Sequence, residues 1–454
     1  MRKPNVILIN CDDLGYGDLG CYGSAVNRTP AIDRLAREGT RFTDFYSAAP
    51  VCSPSRGALM TGCYPPRISF GAYEGKTGVL FPGQGVGLNT DELTVAGMLR
   101  AEGYRTKMIG KWHCGDQPEF LPLNHGFEEY YGLPYSNDMG RQAVPNRKSD
   151  RPPLPLIKDD KVIQQQPDQR ALTERYTEQA LEFIDRNRDT PFFLYFAHMH
   201  MHLPLYAAER FVKESENGDY GACMASLDWS VSCLIHKLEE EDLTKDTLII
   251  FTSDNGGGAN GGCNLPLRGS KGSTWEGGMR LPGIMRWPGR IPAGRVCEQV
   301  VTGIDLLPTV AALCGVSAAN MPKFKIDGED LSAVCLGEAK GREVFFYYKQ
   351  NNLEAVRCGA WKLHVRKGPE KAQLLYNLAE DISEHNNLYD KHPDIVARLE
   401  GLLEKCRAEL GDGAQGVLGN ETRPVGKVEN PRPLTEYDEN HPYIIAMYDK
   451  PEAG

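Results

Sequence analysis

The chain has 454 residues, of which 41% are hydrophobic and 25% are charged, and its formal net charge is −10. This composition is typical of a soluble globular enzyme and excludes a disordered chain. The acidic charge argues against nucleic acid as a partner, because proteins bind phosphate backbones mainly through Lys and Arg.

The first apolar run, residues 6–9, follows basic residues and leads directly into polar ones. It is too short for the core of a signal peptide, and no small-residue cleavage site follows it. We expect a cytoplasmic protein, or a periplasmic or secreted one if a leader was removed. The thirteen cysteines form no CxxC pair and favour buried thiols in a reducing compartment. No apolar run approaches the roughly 18–20 residues of a membrane span, so we expect no membrane partner.

Four apolar runs that end in polar or glycine-rich residues predict buried strands: 5–13, 106–113, 191–202 and 246–258. Such continuous runs suit a parallel sheet that is covered on both faces. Helical patterns lie between them. In one of these, Thr29 is a candidate N-cap, Pro30 fits the first turn, and Gly39 ends the helix. The alternation predicts an α/β fold with a large, mostly parallel sheet.

The residue composition and pattern of the chain change in two places. Residues 141–170 are polar and proline-rich, and LIKDDKVI within them predicts a hairpin, which we interpret as part of a surface insertion. Beyond about residue 330 the pattern favours antiparallel strands and then one helix over 392–410. We therefore predict a catalytic domain over 1–330 and a smaller C-terminal α+β subdomain, with an antiparallel sheet, over 331–454.

The ends of the predicted strands carry oxygen ligands. Ligands of open α/β sheets bind beyond the carboxyl ends of the strands, and Asp12, Asp13, Asp254 and Asn255 stand there. Each alone could be a cap or a turn, but their coincidence at strand ends predicts a site. Three carboxylates and an amide favour Ca²⁺ or Mg²⁺ over zinc.

Lysine and histidine side chains also follow the predicted strands. Lys111 and His113 end the second run, and His198, His200 and His202 end the third. In a continued strand the three histidines would face one side of the sheet. Because a Leu-Pro pair follows them, we expect one imidazole rather than three to enter the site.

The segment APVCSPSRGALMTG, residues 49–62, raises the question of what Cys52 does. It has helical spacing with Pro54 in the first turn, so Cys52 would lie at a helix N-terminus, where a thiolate is stabilised. No partner base follows locally, and Arg56 lies four residues on. The residues alone leave Cys52 as an activated nucleophile near a divalent cation.

Two motifs resemble those of a known family. PVCSPSRGALMTG resembles the first sulfatase signature, C-x-P-x-R followed by a short helix, and GYRTKMIGKWH, residues 103–113, matches the fixed positions of the second. The similarity is clear over residues 4–310 and looser beyond. The chain resembles the type I, formylglycine-dependent sulfatases, in the arylsulfatase A-like branch of the alkaline phosphatase superfamily. This implies an alkaline-phosphatase-like α/β/α sandwich.

The resemblance implies a role for each matching position. A formylglycine-generating maturase would oxidise Cys52. The family's Ca²⁺, with Mg²⁺ as the alternative, would be held by Asp12, Asp13, Asp254, Asn255 and position 52. The catalytic set would be Arg56, Lys111, His113, His202 and Lys271, beside position 52. Ser136, Asn137 and His200 are the expected substrate contacts, although relatives often carry His where Asn137 stands.

The resemblance also implies a mechanism. A thiolate would give a stable adduct with sulfur, whereas the hydrate of formylglycine offers two hydroxyls. One hydroxyl, made more acidic by Ca²⁺, would attack sulfur while His202, with Lys271 nearby, protonates the departing alcohol. His113 would then take the proton of the second hydroxyl, and sulfate would leave. We expect hydrolysis of a sulfate monoester, on a sulfated mono- or oligosaccharide.

Two other functions fit parts of this pattern. A phosphonate or phosphodiester hydrolase of the same superfamily is the first, and its members tend to carry His beside the late Asp, where this chain has Asn255. A non-catalytic binder of sulfated sugar, in which Cys52 stays a thiol, is the second. It is disfavoured because every expected polar residue is present. Mass spectrometry of the peptide around Cys52 separates a binder from an enzyme.

Overall fold

The computed structural model describes residues 3–73, 78–141, 151–258 and 261–443. Its strands are β1 Asn5–Cys11, β2 Thr40–Tyr46, β3 Val86–Gly87, β4 Arg105–Lys111, β5 Glu129–Leu133, β6 Pro155–Lys158, β7 Lys161–Gln165, β8 Phe192–Ala197, β9 Thr247–Ser253, β10 Arg280–Arg286, β11 Arg295–Cys297, β12 Val301–Thr302, β13 Val344–Lys349, β14 Asn352–Cys358, β15 Trp361–Lys367, β16 Glu370–Asn377, β17 Gly411–Asp412, β18 Val417–Leu418 and β19 Gly426–Lys427. Its helices are α1 Pro30–Glu38, α2 Cys52–Thr61, α3 Val95–Ala101, α4 Leu172–Arg186, α5 Glu209–Glu214, α6 Gly218–Glu240, α7 Glu276–Met279, α8 Leu306–Cys314, α9 Ser332–Cys335 and α10 Pro393–Leu410. Within the four ranges, none of the helices has both the length and the apolar character that crossing a membrane requires.

The large sheet has the strand order β11-β2-β10-β9-β1-β8-β4-β5-β6-β7, and β12 pairs with β2 as well. Its centre, β9, β1, β8, β4 and β5, is parallel, whereas β10 and β6 run antiparallel to their neighbours. A second sheet, β13-β14-β15-β16, is antiparallel throughout. The predicted fold class, a mostly parallel large sheet plus a C-terminal antiparallel sheet, is confirmed.

Helices cover both faces of the large sheet because its central strands bury side chains on both sides. In β1, Ile7 and Ile9 belong to the core that includes α1, α4 and α6. The alternating residues Val6 and Leu8 belong to the core that includes α2, α3 and α8. Every residue of β1 is buried, as the continuous apolar run predicts.

Two predictions about local structure need correction. The run 191–202 is a strand only as far as Ala197, so its three histidines do not share the alternation of a strand. The hairpin in LIKDDKVI is present as β6 and β7, but it is not a surface insertion. It extends the large sheet beside β5, with Leu154 and Leu156 fully buried. The rest of that segment, residues 142–150, lies outside the described residues.

The C-terminal sheet is joined to the rest of the molecule by a shared core and by the end of the chain. Phe345, Leu363 and Leu399 pack in one cluster with Tyr46 and Ala58, from β2 and α2. Beyond α10, strand β19 pairs with β3. The second sheet thus lies against the helix that begins at Cys52, and the predicted boundary near residue 330 stays a prediction.

Gly110, in β4, has no room for a side chain. Its φ is 104°, and a Cβ would lie 1.7 Å from the carbonyl oxygen of Ala197 in β8. Gly103 has a φ of 87° but has no neighbouring heavy atom within 4 Å of the position a Cβ would take. We expect Gly110→Ala to lower the free energy of unfolding by about 3 kcal/mol or more, from backbone strain plus overpacking.

The matched control is Gly103→Ala, for which strain alone should cost about 1 kcal/mol. Denaturant unfolding of both variants measures the difference. Equal losses would show that the close approach of β4 and β8 is not what requires glycine at position 110.

Candidate functional site

The candidate site lies where the central strands of the large sheet end. Asp12 and Asp13 follow β1, Lys111 is the last residue of β4, and Asp254 follows β9. Cys52 is the first residue of α2. These carboxyl ends meet at one edge because β9, β1, β8 and β4 are parallel neighbours, so the structure brings the predicted residues together.

The acidic residues form a compact, buried cluster. Ligand atoms of Asp12, Asp13 and Cys52 lie within 4.8 Å of one another. The backbone amide of Asp13 donates to Asp254 Oδ1 at 3.3 Å, and Asn255 Nδ2 donates to Asp13 Oδ1 at 2.7 Å. Asp254 and Asn255 therefore lie directly against the pair after β1.

Two oxygen atoms in this cluster fit a metal ion. In the described part of the chain, Asp12 Oδ1 and Asn255 Oδ1 are buried and accept no hydrogen bond. Such atoms are costly to bury unless a donor or a cation meets them. Apart from the Cys52 sulfur, the atoms of this cluster that could bind a metal ion are oxygens, which are the ligands of hard divalent cations. The residues present thus fit the metal ion that their chemistry implies.

Each carboxylate of the cluster also accepts a hydrogen bond from a cationic side chain, and Arg56 lies 3.8 Å from Asp12 Oδ1 as well. Lys111 Nζ donates to Asp12 Oδ2 at 2.5 Å, and Lys271 Nζ donates to Asp13 Oδ2 at 2.9 Å. Arg56 donates from Nε to Asp254 Oδ2 at 2.8 Å. The three positive charges thus balance the three carboxylates, and the cations lie close enough together to contact an anionic group bound at the site.

The charges shift the pKa values of two carboxyls in opposite directions. Burial acts to raise the pKa of Asp12, but Lys111, with help from His202 and Arg56, holds it far below its ordinary value. Burial and the neighbouring Asp12 raise the pKa of Asp254 to about 7, although Arg56 opposes them. Asp12 is thus the residue that stays ionised in this crowded cluster.

Cys52 is held rigidly at the start of α2. The next residue, Ser53, accepts a hydrogen bond at its Oγ from the Leu80 amide at 3.1 Å, and Ser55 Oγ donates to the Asp254 carbonyl. The side chain of Cys52 is only 2% exposed. Burial raises its pKa to about 12, against the opposing effect of Lys111 and Lys271. Burial thus favours the thiol over the thiolate that a helix N-terminus predicts.

His113 is a neutral imidazole with one free nitrogen. Its Nε2 donates to the carbonyl of Leu80 at 3.0 Å, which leaves Nδ1 without a hydrogen, and Nδ1 is buried without a partner among the described residues. Burial, and then the charge of Lys111, holds the pKa of His113 well below its ordinary value. Because Nε2 is bonded to a carbonyl, Nδ1 is the ring nitrogen at which His113 can accept a proton.

His202 joins the cluster through Ser136. Its Nδ1 donates to the Leu203 carbonyl at 2.6 Å, and its Nε2 lies 3.3 Å from Ser136 Oγ and 4.0 Å from Asp13 Oδ2. Ser136 Oγ also accepts a hydrogen bond from Lys111 Nζ at 3.2 Å. Burial and the charge of Lys271 lower the pKa of His202.

The other predicted contacts lie near the site but are enclosed. Asn137 donates from Nδ2 to Gln169 Oε1 at 2.9 Å and to the Pro204 carbonyl at 3.1 Å, so it supports the loop that carries His202. His200 is fully buried, and burial lowers its pKa to about 4. Its carbonyl accepts a hydrogen bond from the Asp12 amide at 2.8 Å.

Sequence reasoning missed a buried ion network behind Lys271. Lys362 of β15 is fully buried and lies 2.8 Å from Glu276 Oε1 and 3.0 Å from Glu384 Oε1. It also donates to the carbonyl of Thr274 at 3.0 Å, so it fixes the loop three residues beyond Lys271. The signal was present in WKLHVRK, where polar Lys and His alternate on the inward face of a strand.

The comparisons with known proteins agree with this geometry. The family model described as Sulfatase matches residues 4–316, and one described as N-sulphoglucosamine sulphohydrolase, C-terminal, matches residues 270–409. The chain is 42% identical to human arylsulfatase A, over 90% of this chain and 88% of the relative. It is 38% identical to the N-acetylgalactosamine-6-sulfatase of Canis lupus familiaris, over 80% and 72%. A crystal structure of Ps i-CgsB in complex with k-i-k-neocarrahexaose is 30% identical with a TM-score of 0.78, covering 92% of this chain and 96% of that one.

Proposed function

The chain belongs to the sulfatase family, in its arylsulfatase A-like branch, and from this premise we propose that it removes sulfate from a sulfated mono- or oligosaccharide. The activity, hydrolysis of a sulfuric ester, follows from the family and from relatives that are 36–42% identical over most of the chain. The sugar is the proposed part. It is supported by the relative named for N-acetylgalactosamine 6-sulfate and by the structure that holds a carrahexaose.

One observation carries the assignment of the active site. Three cations, Arg56, Lys111 and Lys271, together hold three carboxylates around the start of α2, where Cys52 lies. A sulfate ester is an anion, and negative charge develops on the departing oxygen as the ester bond breaks, so fixed cations lower the barrier to its cleavage.

Position 52 and the acidic cluster would carry the two non-standard groups. We propose that a maturase converts Cys52 to formylglycine. The hydrated aldehyde of formylglycine would supply an oxygen nucleophile, which a buried thiol cannot supply. We propose Ca²⁺ as the metal ion, which supplies positive charge against the sulfate. Its ligands would be Asp12, Asp13, Asp254, Asn255 and position 52.

The remaining roles belong to side chains of this chain. Lys111 and Arg56 hold the ionised carboxylates in place, and they are almost fully buried. Lys271 is 16% exposed and is assigned to the sulfate itself. His202 lies near the Asp13–Lys271 pair, which supports His202, with Lys271 nearby, as the source of the proton for the departing alcohol. Nδ1 of His113 is the acceptor of the second proton.

The test of the substrate is a screen of singly sulfated sugars with chromatographic detection of the desulfated product. We expect at least one sugar to be cleaved with a higher kcat/KM than a simple aryl sulfate. Turnover of aryl sulfates without turnover of any sugar would contradict the proposed substrate class while leaving the sulfatase activity intact.

The metal ion gives a separate prediction. A ligand that binds only the folded state stabilises it by about 2.7 kcal/mol at 100 times its Kd. We therefore expect Ca²⁺, added after chelation, to raise the melting temperature by a few degrees and to restore activity, with a smaller effect from Mg²⁺. Asp254→Asn should remove most of this thermal shift, and Asp91→Asn, at an exposed position, should keep it. A shift that survives in Asp254→Asn would refute the proposed ligand set.

A further inference from the structure

One loop of the chain sets which nitrogen of His113 is free. The carbonyl of Leu80 accepts the hydrogen bond from His113 Nε2 at 3.0 Å, and the amide of Leu80 donates to Ser53 Oγ at 3.1 Å. Leu80 therefore contacts both the proposed proton acceptor and the residue that follows Cys52. We call residues 78–85 the Leu80 loop.

A buried carboxylate holds the Leu80 loop in place. Asp116 Oδ2 accepts a hydrogen bond from the amide of Gly83 at 2.6 Å, and Asp116 is only 4% exposed. Within the loop, the Phe81 amide donates to Gln84 Oε1 at 2.9 Å, so residues 81–84 form a turn that contains Gly83. Fixing the Gly83 amide thus fixes the turn that begins directly after Leu80.

A second side chain holds Asp116 against the C-terminal segment of the chain. Gln117 donates from Nε2 to Asp116 Oδ1 at 2.8 Å and to the carbonyl of Arg432 at 3.0 Å. The Arg432 amide donates back to Gln117 Oε1 at 3.0 Å, which fixes the orientation of the Gln117 amide. Pro433 lies against the same loop, because a Cβ on Gly83 would lie 3.0 Å from its ring. The Leu80 loop is thus enclosed between Asp116 and the C-terminal segment.

Asp116 contributes position rather than stability. Both of these donors are uncharged, and burial raises the pKa of Asp116 to about 6, although the hydrogen bonds from Gly83 and Gln117 oppose the rise. A buried carboxylate costs free energy unless an opposite charge meets it. What Asp116 supplies is a fixed acceptor for the Gly83 amide, and with it a fixed place for the Leu80 carbonyl.

The place of the Leu80 carbonyl matters because a neutral imidazole can carry its hydrogen on either ring nitrogen. With the carbonyl 3.0 Å from Nε2 of His113, the hydrogen is on Nε2 and Nδ1 is free. If the carbonyl moved away, the other tautomer would place the hydrogen on Nδ1 and block the nitrogen that is proposed to accept a proton.

We propose that Asp116 is a positioning residue for the sulfatase reaction, which holds the Leu80 loop so that His113 keeps its hydrogen on Nε2 and its Nδ1 free. This inference rests on the proposed function, in which His113 accepts a proton, and deepens it. Asp116 acts through Gly83 and Leu80 and not on the substrate.

The test follows the tautomer of His113 and the kinetics of Asp116→Ala. In protein with isotope-labelled histidine, the chemical shifts of the ring nitrogens report the tautomer, and loss of a signal in His113→Asn assigns it. We expect the wild type to carry the hydrogen on Nε2 and Asp116→Ala to lose this single tautomer. On an aryl sulfate, kcat should fall about tenfold with KM within about twofold of wild type, because only part of the 10²–10⁴-fold contribution of a general base is lost.

Two variants separate positioning from stability. Asp116→Asn keeps an oxygen for the Gly83 amide, so it should keep the tautomer of His113 and a kcat within about threefold of wild type. Asp228 is the matched control, because it is also buried and accepts hydrogen bonds from two backbone amides at the start of α1. Burial raises the pKa of Asp228 to about 6 as well. Asp228→Ala should lower the melting temperature but keep the tautomer and kcat.

The positioning role is overturned if Asp116→Ala keeps the tautomer of His113, if it keeps kcat, or if Asp228→Ala lowers kcat as much. Gln117→Ala, which removes the link between Asp116 and Arg432, gives the same comparison if Asp116→Ala does not fold. The tautomer is read without substrate. A wild type that cleaves no sulfate ester therefore counts against the proposed function, and the tautomer comparison still decides the positioning role.

Discussion

Cys52→Ala should lower kcat/KM for sulfate ester hydrolysis by at least about 10⁴-fold, since loss of a covalent nucleophile removes most of the rate enhancement. The reason is specific to position 52. Its sulfur lies within 4.8 Å of ligand atoms of Asp12 and Asp13, at the first residue of α2. The binding of substrate should change much less than kcat.

The matched control is Cys63→Ala. Cys63 is also fully buried and lies just beyond the other end of α2. We expect the activity of the Cys63→Ala variant to stay within about threefold of wild type. Mass spectrometry of the peptide around position 52, after co-expression with a maturase, should show loss of the thiol only in active protein. Full activity in Cys52→Ala, or in protein whose Cys52 is an unmodified thiol, would refute the nucleophile.

Lys271→Met should lower kcat by about 10²–10³-fold, because it removes one fixed positive charge beside the group on which negative charge develops. Among the three cations of the site, Lys271 is the one that solvent reaches, since Arg56 and Lys111 are 1% and 0% exposed. It can therefore move from Asp13 to the sulfate when substrate arrives. Steady-state kinetics on an aryl sulfate measure the effect.

Two controls separate this role from a structural one. Lys323→Met, at an exposed position, should leave kcat unchanged. The melting temperature of Lys271→Met should stay near that of wild type, because its partner Asp13 keeps the hydrogen bond from Asn255. An increase in KM with an unchanged kcat would show that Lys271 contributes only to binding of the substrate in its ground state.

The parts of the fold that could be predicted are those where burial leaves a simple pattern. Strands β1, β8 and β9 are mostly apolar runs because both of their faces are covered. Strands β2 and β10 were not predicted, since they carry charges that are buried as pairs. Arg280 donates to Asp44 Oδ2 at 2.7 Å, and no apolar periodicity reports such a pair.

The site could be located but not fully built from the sequence. Asp12, Lys111 and Asp254 could be predicted to lie together because the topology of a parallel sheet places the carboxyl ends of its strands at one edge. The orientation of His202 depends on a loop beyond β8 that has no repeating pattern. The contribution of Lys362 depends on packing between two sheets, which are separated by most of the chain.

The order of synthesis gives the burial of Cys52 a further meaning. Among the described strands, β1 pairs with β8 and β9, so its second partner is not complete until about 200 residues after Cys52 have been made. At roughly 5–20 residues per second, that interval is on the order of ten seconds or more. Throughout it, the segment that will be sealed inside the protein is still an open peptide, and this is the period in which another enzyme can reach it.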